Sequence, residues 1–232
     1  MCELLAQNVS IRSCLEHLDP PSSLIPTNER PLTYKTLHTA ENQSFGLYDP
    51  DQVIKPNHLL TAITHGGGEL HASQVRWGWS PVWSMGTRPP LTHLPLEIVM
   101  RSKVFKRMHG SGRALVAVDG WFNAAGDHPI TDRNRSRFNY VRCRSGQPVF
   151  LAALAQMSEL ASGCNGLVLV TKGGGGAAGP LQLLAFAAQN ALLWLDPELD
   201  WDRARSLPSL DLCDRELFEE ATVSYRCGHK TR

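Results

Sequence analysis

Cys2 is the residue whose type and position could do the most distinctive chemistry in this sequence. If the initiator methionine is removed, which is usual before a small second residue, the chain begins with a cysteine that carries a free α-amine and a thiol on adjacent carbons. The reference pKa of an α-amine is about 7.7–8.0 and that of a thiol about 8.5, so both groups are partly nucleophilic near neutral pH. Together they can attack one aldehyde carbon: the amine forms an imine, the thiol adds to it, and a thiazolidine ring closes.

Four segments in the middle of the chain carry a second pattern. They read RWGWSPVW at 76–83, SKVFK at 102–106, RALVAVDGWF at 113–122 and GQPVFLAAL at 146–154. In this order and at these distances they resemble the W-G-x-x-P-x-W, S-x-x-F-K, R-C-x-x-x-x-D-G-[WF]-[FY]-E and G-x-P-x-x-x-A-G-L/I segments of the SOS response-associated peptidase (SRAP) family. That family also begins Met-Cys, and the resemblance extends from about residue 70 to residue 172.

The resemblance implies that Cys2 captures the ring-opened aldehyde of an abasic site in single-stranded DNA as a covalent cross-link. The autoproteolytic activity in the family's name would be the loss of Met1. Aromatic and basic side chains would hold the unpaired strand, because an aromatic ring stacks a base with about 1–3 kcal/mol and lysine meets phosphate. By position, the DNA-binding candidates are Pro56, Trp83, Lys103 and Phe105.

Three positions depart from the family pattern at its catalytic residues. The asparagine of the family's N-A-R-x-E segment falls on His93, the glutamate that follows D-G-W-F on Asn123, and the histidine of I-H-x-R-M-P on Gln182. An amide side chain cannot titrate, so Asn123 and Gln182 can donate hydrogen bonds but cannot shuttle protons. Cys2, His93, Asn123 and Gln182 are therefore the catalytic candidates, and these losses leave open whether the chain is an enzyme.

The alternative is a catalytically degenerate SRAP fold that binds single-stranded or damaged DNA without reacting. A cysteine peptidase acting on other proteins is a third hypothesis, but it needs a base paired with the thiol, and none of the nine histidines lies in a recognisable partner motif. Salt-sensitive DNA binding that survives loss of the Cys2 thiol would distinguish the binding module from the enzyme.

Composition restricts the class of protein without choosing its ligand. The chain has 232 residues, a formal net charge of +1, 42% hydrophobic and 19% charged residues, which is ordinary for a globular protein. No apolar run approaches the roughly 20 residues that span a bilayer, and the N-terminus lacks the pattern of a signal peptide. We expect a cytoplasmic monomer with no membrane partner and no cofactor. Its near-zero net charge means that any DNA contact must be local.

Three weaker motifs also have simpler explanations. Cys227 and His229, with Cys213 upstream, match no known zinc spacing, so we predict no metal. The glycines that follow Lys172 lack the G-K-[ST] ending of a phosphate-binding loop and indicate a flexible connection. Five arginines alternate around a predicted hairpin, where they could follow a DNA backbone or form a solvated face; they are Arg133, Arg135, Arg137, Arg142 and Arg144.

Strand-like segments dominate the region that must position these residues. Leu59–Thr64 and Leu70–Trp77 flank a glycine-rich connection and predict a hairpin. Further apolar, β-rich runs are Arg113–Phe122, Phe138–Arg142, Val149–Met157 and Leu167–Thr171. We therefore predict an α+β class and one SRAP-like domain over residues 1–232. Its strand-rich sheet would curl toward a barrel, with a few peripheral helices.

The helices are predicted from caps and apolar spacing. Ser10 is a candidate N-cap for a short helix. Apolar residues at helical spacing predict a helix from Leu96 to Val104, and Asp196 followed by Pro197 is a typical helix start. A last, weak helix is predicted over Asp214–Ala221.

Overall fold

A computed structural model of the protein describes residues 2–18, 53–81, 87–106, 112–124, 135–157, 165–173 and 182–226. The strands in these ranges are β1 (Cys2–Ala6), β2 (Val53–Ile54), β3 (Leu59–Gly66), β4 (Glu69–Arg76), β5 (His93–Pro95), β6 (Arg113–Val118), β7 (Gly120–Ala124), β8 (Arg135–Cys143), β9 (Val149–Gln156), β10 (Gly166–Lys172), β11 (Gln182–Leu183), β12 (Ala185–Phe186) and β13 (Phe218–Arg226). The helices are α1 (Ile11–Leu18), α2 (Leu96–Arg101), α3 (Lys103–Lys106), α4 (Ala188–Leu195) and α5 (Trp201–Arg205). None of these helices is long and apolar enough to cross a membrane.

The smaller sheet contains five antiparallel strands in the order β13–β8–β7–β1–β2. Successive side chains of a strand point to opposite faces, and both faces of this sheet are apolar over part of their length. Leu5, Trp121 and Val141 occupy one face and join one core cluster, whereas Leu4 and Phe122 belong to a second cluster. The first strand of the chain is thus held between β7 and β2 by packing on both sides.

The larger sheet has eight strands, with the path β11–β10–β9–β6–β3–β4; β12 pairs with β9 and β5 pairs with β10. Every residue of β6 is buried, and so is every residue of β9 except Gln156. A strand that is covered on both faces has no need of polar alternation, which is why these two segments read as continuous apolar runs. The strand-rich α+β class predicted from the sequence is confirmed.

The larger sheet curls at one point. An isolated bridge joins Trp77, one residue beyond β4, to Leu167 in β10, and the amide of Gly78 donates to the carbonyl of Leu167 at 2.8 Å. The approach requires glycine at 166, because a Cβ there would lie 2.2 Å from the carbonyl oxygen of Gly78. Among the described residues this contact does not extend into a ladder between β4 and β10, so closure into a barrel stays a prediction.

The described helices pack against one face of the larger sheet. Ser10 caps α1 as predicted, since its hydroxyl accepts from the amide of Ser13 at 3.1 Å. The loop between α4 and α5 is held from below by Arg113 of β6, which is buried and donates to the carbonyls of Asp196 and Leu199. Burial lowers the pKa of Arg113 to about 10.

Several element boundaries differ from the prediction. The prediction that a helix begins at Asp196 is wrong, because α4 ends just before it at Leu195 and the next helix, α5, begins only at Trp201. The weak helix predicted over 214–221 is wrong, because Phe218–Arg226 forms β13 against β8. The predicted strand over 113–122 is two strands in different sheets, separated at Asp119. In the last two cases pairing with a distant strand overrides the local pattern.

Candidate active site at the start of the first strand

Cys2 begins β1, and the backbone register places it directly opposite Asn123 of β7. The register shifts between Cys2 and Leu4, so one extra residue is inserted in β1 beside this pair. Such bulges bend a strand and change the direction of its side chains, and they are common next to active sites. The structure thus brings together two of the predicted catalytic positions, which are 121 residues apart in the chain.

A turn that contains Pro56 lies beside the start of β1 on its other edge. β2 pairs with Leu5 and Ala6, and the chain then turns through residues 55–58. The amide of Asn57 donates to the carbonyl of Trp77 at 2.7 Å, and the amide of Trp77 donates to the carbonyl of His58 at 2.9 Å. Pro56 is half-buried in this turn.

The ring of His93 contacts the ring of Trp77. The two rings meet edge to face with centroids 5.7 Å apart. Nδ1 of His93 is 3.0 Å from Oγ1 of Thr92, and Nε2 is buried without a hydrogen-bond partner within the described part of the chain. A buried imidazole nitrogen without a partner is costly in a core, which makes Nε2 a candidate to meet a ligand or a reacting group.

The surroundings of His93 lower the pKa of its imidazole. Its pKa is lowered to about 4, first by burial and second by the positive charge of the amino terminus. His93 is therefore neutral at pH 7 and can accept a proton or a hydrogen bond, but it holds no proton to donate as an imidazolium.

Asn123 belongs to a row of polar residues that runs across the smaller sheet. Asn123 is opposite Asn139 of β8, which is opposite Thr222 of β13. Thr222 donates from Oγ1 to Oδ1 of Asn139 at 3.2 Å. Among the described residues the side-chain amide of Asn123 makes no hydrogen bond, so its donors and its acceptor are available to a ligand. This row marks the point at which the buried face of the sheet meets solvent.

Gln182 is not brought into contact with His93. Thr171 of β10 pairs with Pro95 of β5 and with Leu183 of β11, so β5 and β11 lie on opposite edges of β10. Two strand spacings, roughly 10 Å, therefore separate the backbones that carry His93 and Gln182. The Nε2 amide of Gln182 instead donates to Sγ of the exposed Cys213 at 3.0 Å.

The predicted DNA-binding residues differ in exposure. Lys103 is exposed on α3, where its ammonium group can meet an anion. Phe105 is only 7% exposed, with its ring 5.1 Å from that of Trp79, so it packs in the core in this arrangement and offers little surface to a base. Trp83 lies outside the described residues, as do Cys227 and His229.

Sequence reasoning did not identify Asn57, Asn139 and Thr222 as neighbours of the site. Each becomes adjacent through hydrogen bonds or strand register between segments that are far apart in the chain. For Asn57 the residue type was the one local signal. Its φ is positive, 69°, and asparagine is among the few residues that tolerate this conformation. The other two carry no motif.

Comparisons with known proteins show which family and which solved structures this chain resembles. Residues 22–229 match the family model described as SOS response associated peptidase (SRAP). The chain is 30% identical over 129 residues to the abasic site processing protein YedK of Escherichia coli strain K12. That alignment covers 53% of this chain and 55% of YedK, so the chain matches about half the length of this relative.

Solved structures show the same fold at low identity. A phage-related protein from Bordetella bronchiseptica superimposes with a TM-score of 0.67 at 21% identity, covering 96% of this chain and 94% of that protein. A second protein from Bordetella bronchiseptica has a TM-score of 0.64 at 12% identity, with 96% and 99% coverage. A Bacteroides thetaiotaomicron protein has a TM-score of 0.60 at 12% identity, with 95% and 91% coverage. With the family model matching most of its length, this chain belongs to the SRAP family.

Proposed function

We propose that this protein captures abasic sites in single-stranded DNA through Cys2 after removal of Met1. The observation that carries the proposal is the register that sets Cys2 opposite Asn123, the position that corresponds to a family catalytic residue. Membership of the SRAP family and the similarity to YedK, whose name describes abasic site processing, support the choice of substrate.

The chemistry needs only the groups that Cys2 supplies. Hydrolysis of the Met1–Cys2 peptide bond frees the α-amine. The amine adds to the C1′ aldehyde of the ring-opened sugar and the adduct loses water to give an imine. The thiol sulfur then bonds to the imine carbon, and its proton goes to the nitrogen, which closes the thiazolidine ring without any oxidant or reductant. Ring closure is intramolecular, so it is favoured by proximity.

The neighbouring residues assist without titrating near neutral pH. His93 is neutral there, and with its proton on Nδ1 shared with Thr92, its Nε2 accepts a hydrogen bond from the α-amine. Asn123 donates its side-chain N–H groups to the oxygen that leaves the aldehyde carbon. A hydrogen bond to that oxygen stabilises the charge that develops on it. Lys103, exposed on α3, meets phosphate, and the Pro56 turn forms one wall of the site.

The direct test is a cross-linking gel. Protein expressed without an added tag at its N-terminus is incubated with labelled single-stranded DNA that holds one abasic site. We expect a shifted band on a denaturing gel that is absent for Cys2→Ala. The matched control is Cys213→Ala, which removes an exposed cysteine outside the site. Intact mass of the same sample reports whether Met1 is removed, and equal bands for wild type and Cys2→Ala would refute the proposal.

A second candidate function is DNA binding without reaction. It is favoured by the side chains at the three positions that depart from the family pattern: Asn123 and Gln182 are amides, and the pKa of His93 is lowered to about 4, chiefly by burial. This candidate predicts that Cys2→Ala binds abasic DNA with the affinity of the wild type and that neither forms a covalent band. If a missing proton shuttle is the reason for the lack of reaction, Asn123→Glu should produce a covalent band that the starting protein lacks. The matched change Asn123→Gln should not.

A further inference from the structure

The part of the β8–β13 ladder beyond the Asn139–Thr222 pair carries a concentration of arginine positions. Beyond the Asn139–Thr222 pair, the register sets Arg137 opposite Ser224 and then Arg135 opposite Arg226. Three arginine positions therefore fall in two alternate residue pairs of the ladder, and neither pair contains an acidic residue. Like charges directly opposite each other destabilise a sheet, and an anion placed between them removes that penalty.

The arginines of this strand pair have two different environments. Arg142 donates to Oε1 of Glu219 at 2.5 Å, and Arg144 lies 3.9 Å from the other carboxylate oxygen of Glu219. Arg137 is exposed and takes part in no ion pair among the described residues. Residues two apart on a strand share a face, so Arg137 lies on the face of Asn139, whereas Arg142 lies on the opposite face. The two arginines are thus separated by the sheet itself.

The face that carries Arg137 is continuous with the candidate active site. Asn139 shares this face and is joined through Asn123 to the register position of Cys2, two strand spacings away. Combining these two spacings with the two residue steps along β8 from Asn139 to Arg137 gives a span of roughly 12 Å from the start of β1 to Arg137. Glu220, exposed on the same face, lies on the other side of Thr222. A polyanion bound at Cys2 is therefore repelled by Glu220 on one side of the Asn139–Thr222 row and attracted by Arg137 on the other.

We propose that the strand end around Arg137 binds the phosphodiester backbone of the single-stranded DNA that flanks the abasic site, an inference that rests on the function proposed above. The amides of Asn123 and Asn139 and the hydroxyl of Thr222 line the path between them. The arginine positions that resemble a uniform basic cluster in the sequence are thereby divided in function. Arg137 contacts phosphate, while Arg142 and Arg144 stabilise the sheet through Glu219.

Binding of labelled single-stranded DNA with an abasic site is measured at several salt concentrations in the Cys2→Ala background, so that no covalent product forms. Each phosphate contact to a single strand contributes about 0.7 to the slope of log Kd against log salt. Arg137→Ala should lower that slope by about 0.7 and weaken Kd roughly fivefold at low salt. Arg137→Lys should keep the slope. Arg142→Ala, on the same strand but paired with Glu219, is the matched control and should leave the slope unchanged.

The outcomes separate this inference from the proposed function. If the wild type cross-links through Cys2 while Arg137→Ala keeps the wild-type slope, or if Arg142→Ala lowers the slope equally, the inference fails alone. If Arg137→Ala lowers the slope while the wild type forms no covalent band, the proposed reaction fails and the phosphate contact stands. Stronger Arg137-dependent binding to duplex DNA of the same sequence overturns the commitment to a single strand, and absence of any binding overturns both.

Discussion

Replacement of His93 by glutamine should remove a specific part of the acid sensitivity of this protein. The pKa of His93 is about 4 in the folded chain, whereas an unfolded histidine has a pKa of about 6.5. Between these values the unfolded chain binds more protons than the folded one, so the free energy of unfolding rises with pH. The contribution of His93 is therefore complete above about pH 6.5 and is lost as the pH falls toward 4.

The size of the effect follows from the two pKa values. Going from pH 7 to pH 5, the linkage relation gives a loss of about 2 kcal/mol for a shift of this size. The ring is half-buried rather than enclosed, so solvent reduces the figure and we expect about 1–2 kcal/mol. Glutamine cannot titrate and keeps a polar group beside Thr92, so His93→Gln should lack this component.

Urea denaturation at pH 7 and pH 5, followed by tryptophan fluorescence, measures the difference. We expect the wild type to lose about 1–2 kcal/mol more than His93→Gln over this interval. The comparison is internal, because every other titrating group is present in both proteins. An identical pH dependence of the two proteins would show that His93 is neither desolvated nor influenced by the amino terminus as the structure indicates.

Three further predictions concern stability and thiol reactivity. Arg113→Met should destabilise the protein by about 3 kcal/mol in urea, because it removes two buried hydrogen bonds and contacts with two tryptophan rings at 4.4 and 5.3 Å; a loss below about 1 kcal/mol would contradict this role. Gly166→Ala should cost about 3 kcal/mol because its Cβ would overlap a backbone oxygen, and an unchanged Tm would show that the two strands do not approach so closely. Burial raises the pKa of the Cys14 thiol to about 12, so iodoacetamide at pH 8 should label exposed Cys213 and leave Cys14 unlabelled in the folded protein, as peptide mass spectrometry can check.

Local physics accounts for the parts of the fold that were predicted correctly. The Ser10 cap and the hairpin of β3 and β4 depend on residues that are close in the chain, and both are present in the structure. The helix predicted from Leu96 to Val104 is interrupted at Ser102, where α2 ends and α3 begins. The apolar stretch of α4 satisfies a buried strand and a buried helix equally well, and its burial against the larger sheet decides for the helix.

Pairing between distant segments accounts for the errors. The residues from Phe218 onward have a weak helical pattern of their own, but β8 offers nine backbone partners and an ion pair to Glu219. A ladder of that length outweighs the small preference of an exposed segment for helix. Similarly, Asp119 divides one apolar run between two sheets, because its carboxylate accepts from the amides of Asn8 and Val9 and turns the chain there.

The sequence alone determined which chemistry can be proposed: a cysteine at the second position, amides at two positions where the SRAP pattern has titrating groups, and the family to which the chain belongs. These properties belong to the covalent structure of single residues and to short motifs. Only the tertiary structure decided which groups meet. Strand register set Asn123 opposite Cys2. Strand β10 lies between β5 and β11 and so separates His93 from Gln182. The pleat of β8 put Arg137 and Arg142 on opposite faces. Register and facing depend on contacts between residues far apart in the chain, and no local spacing encodes them.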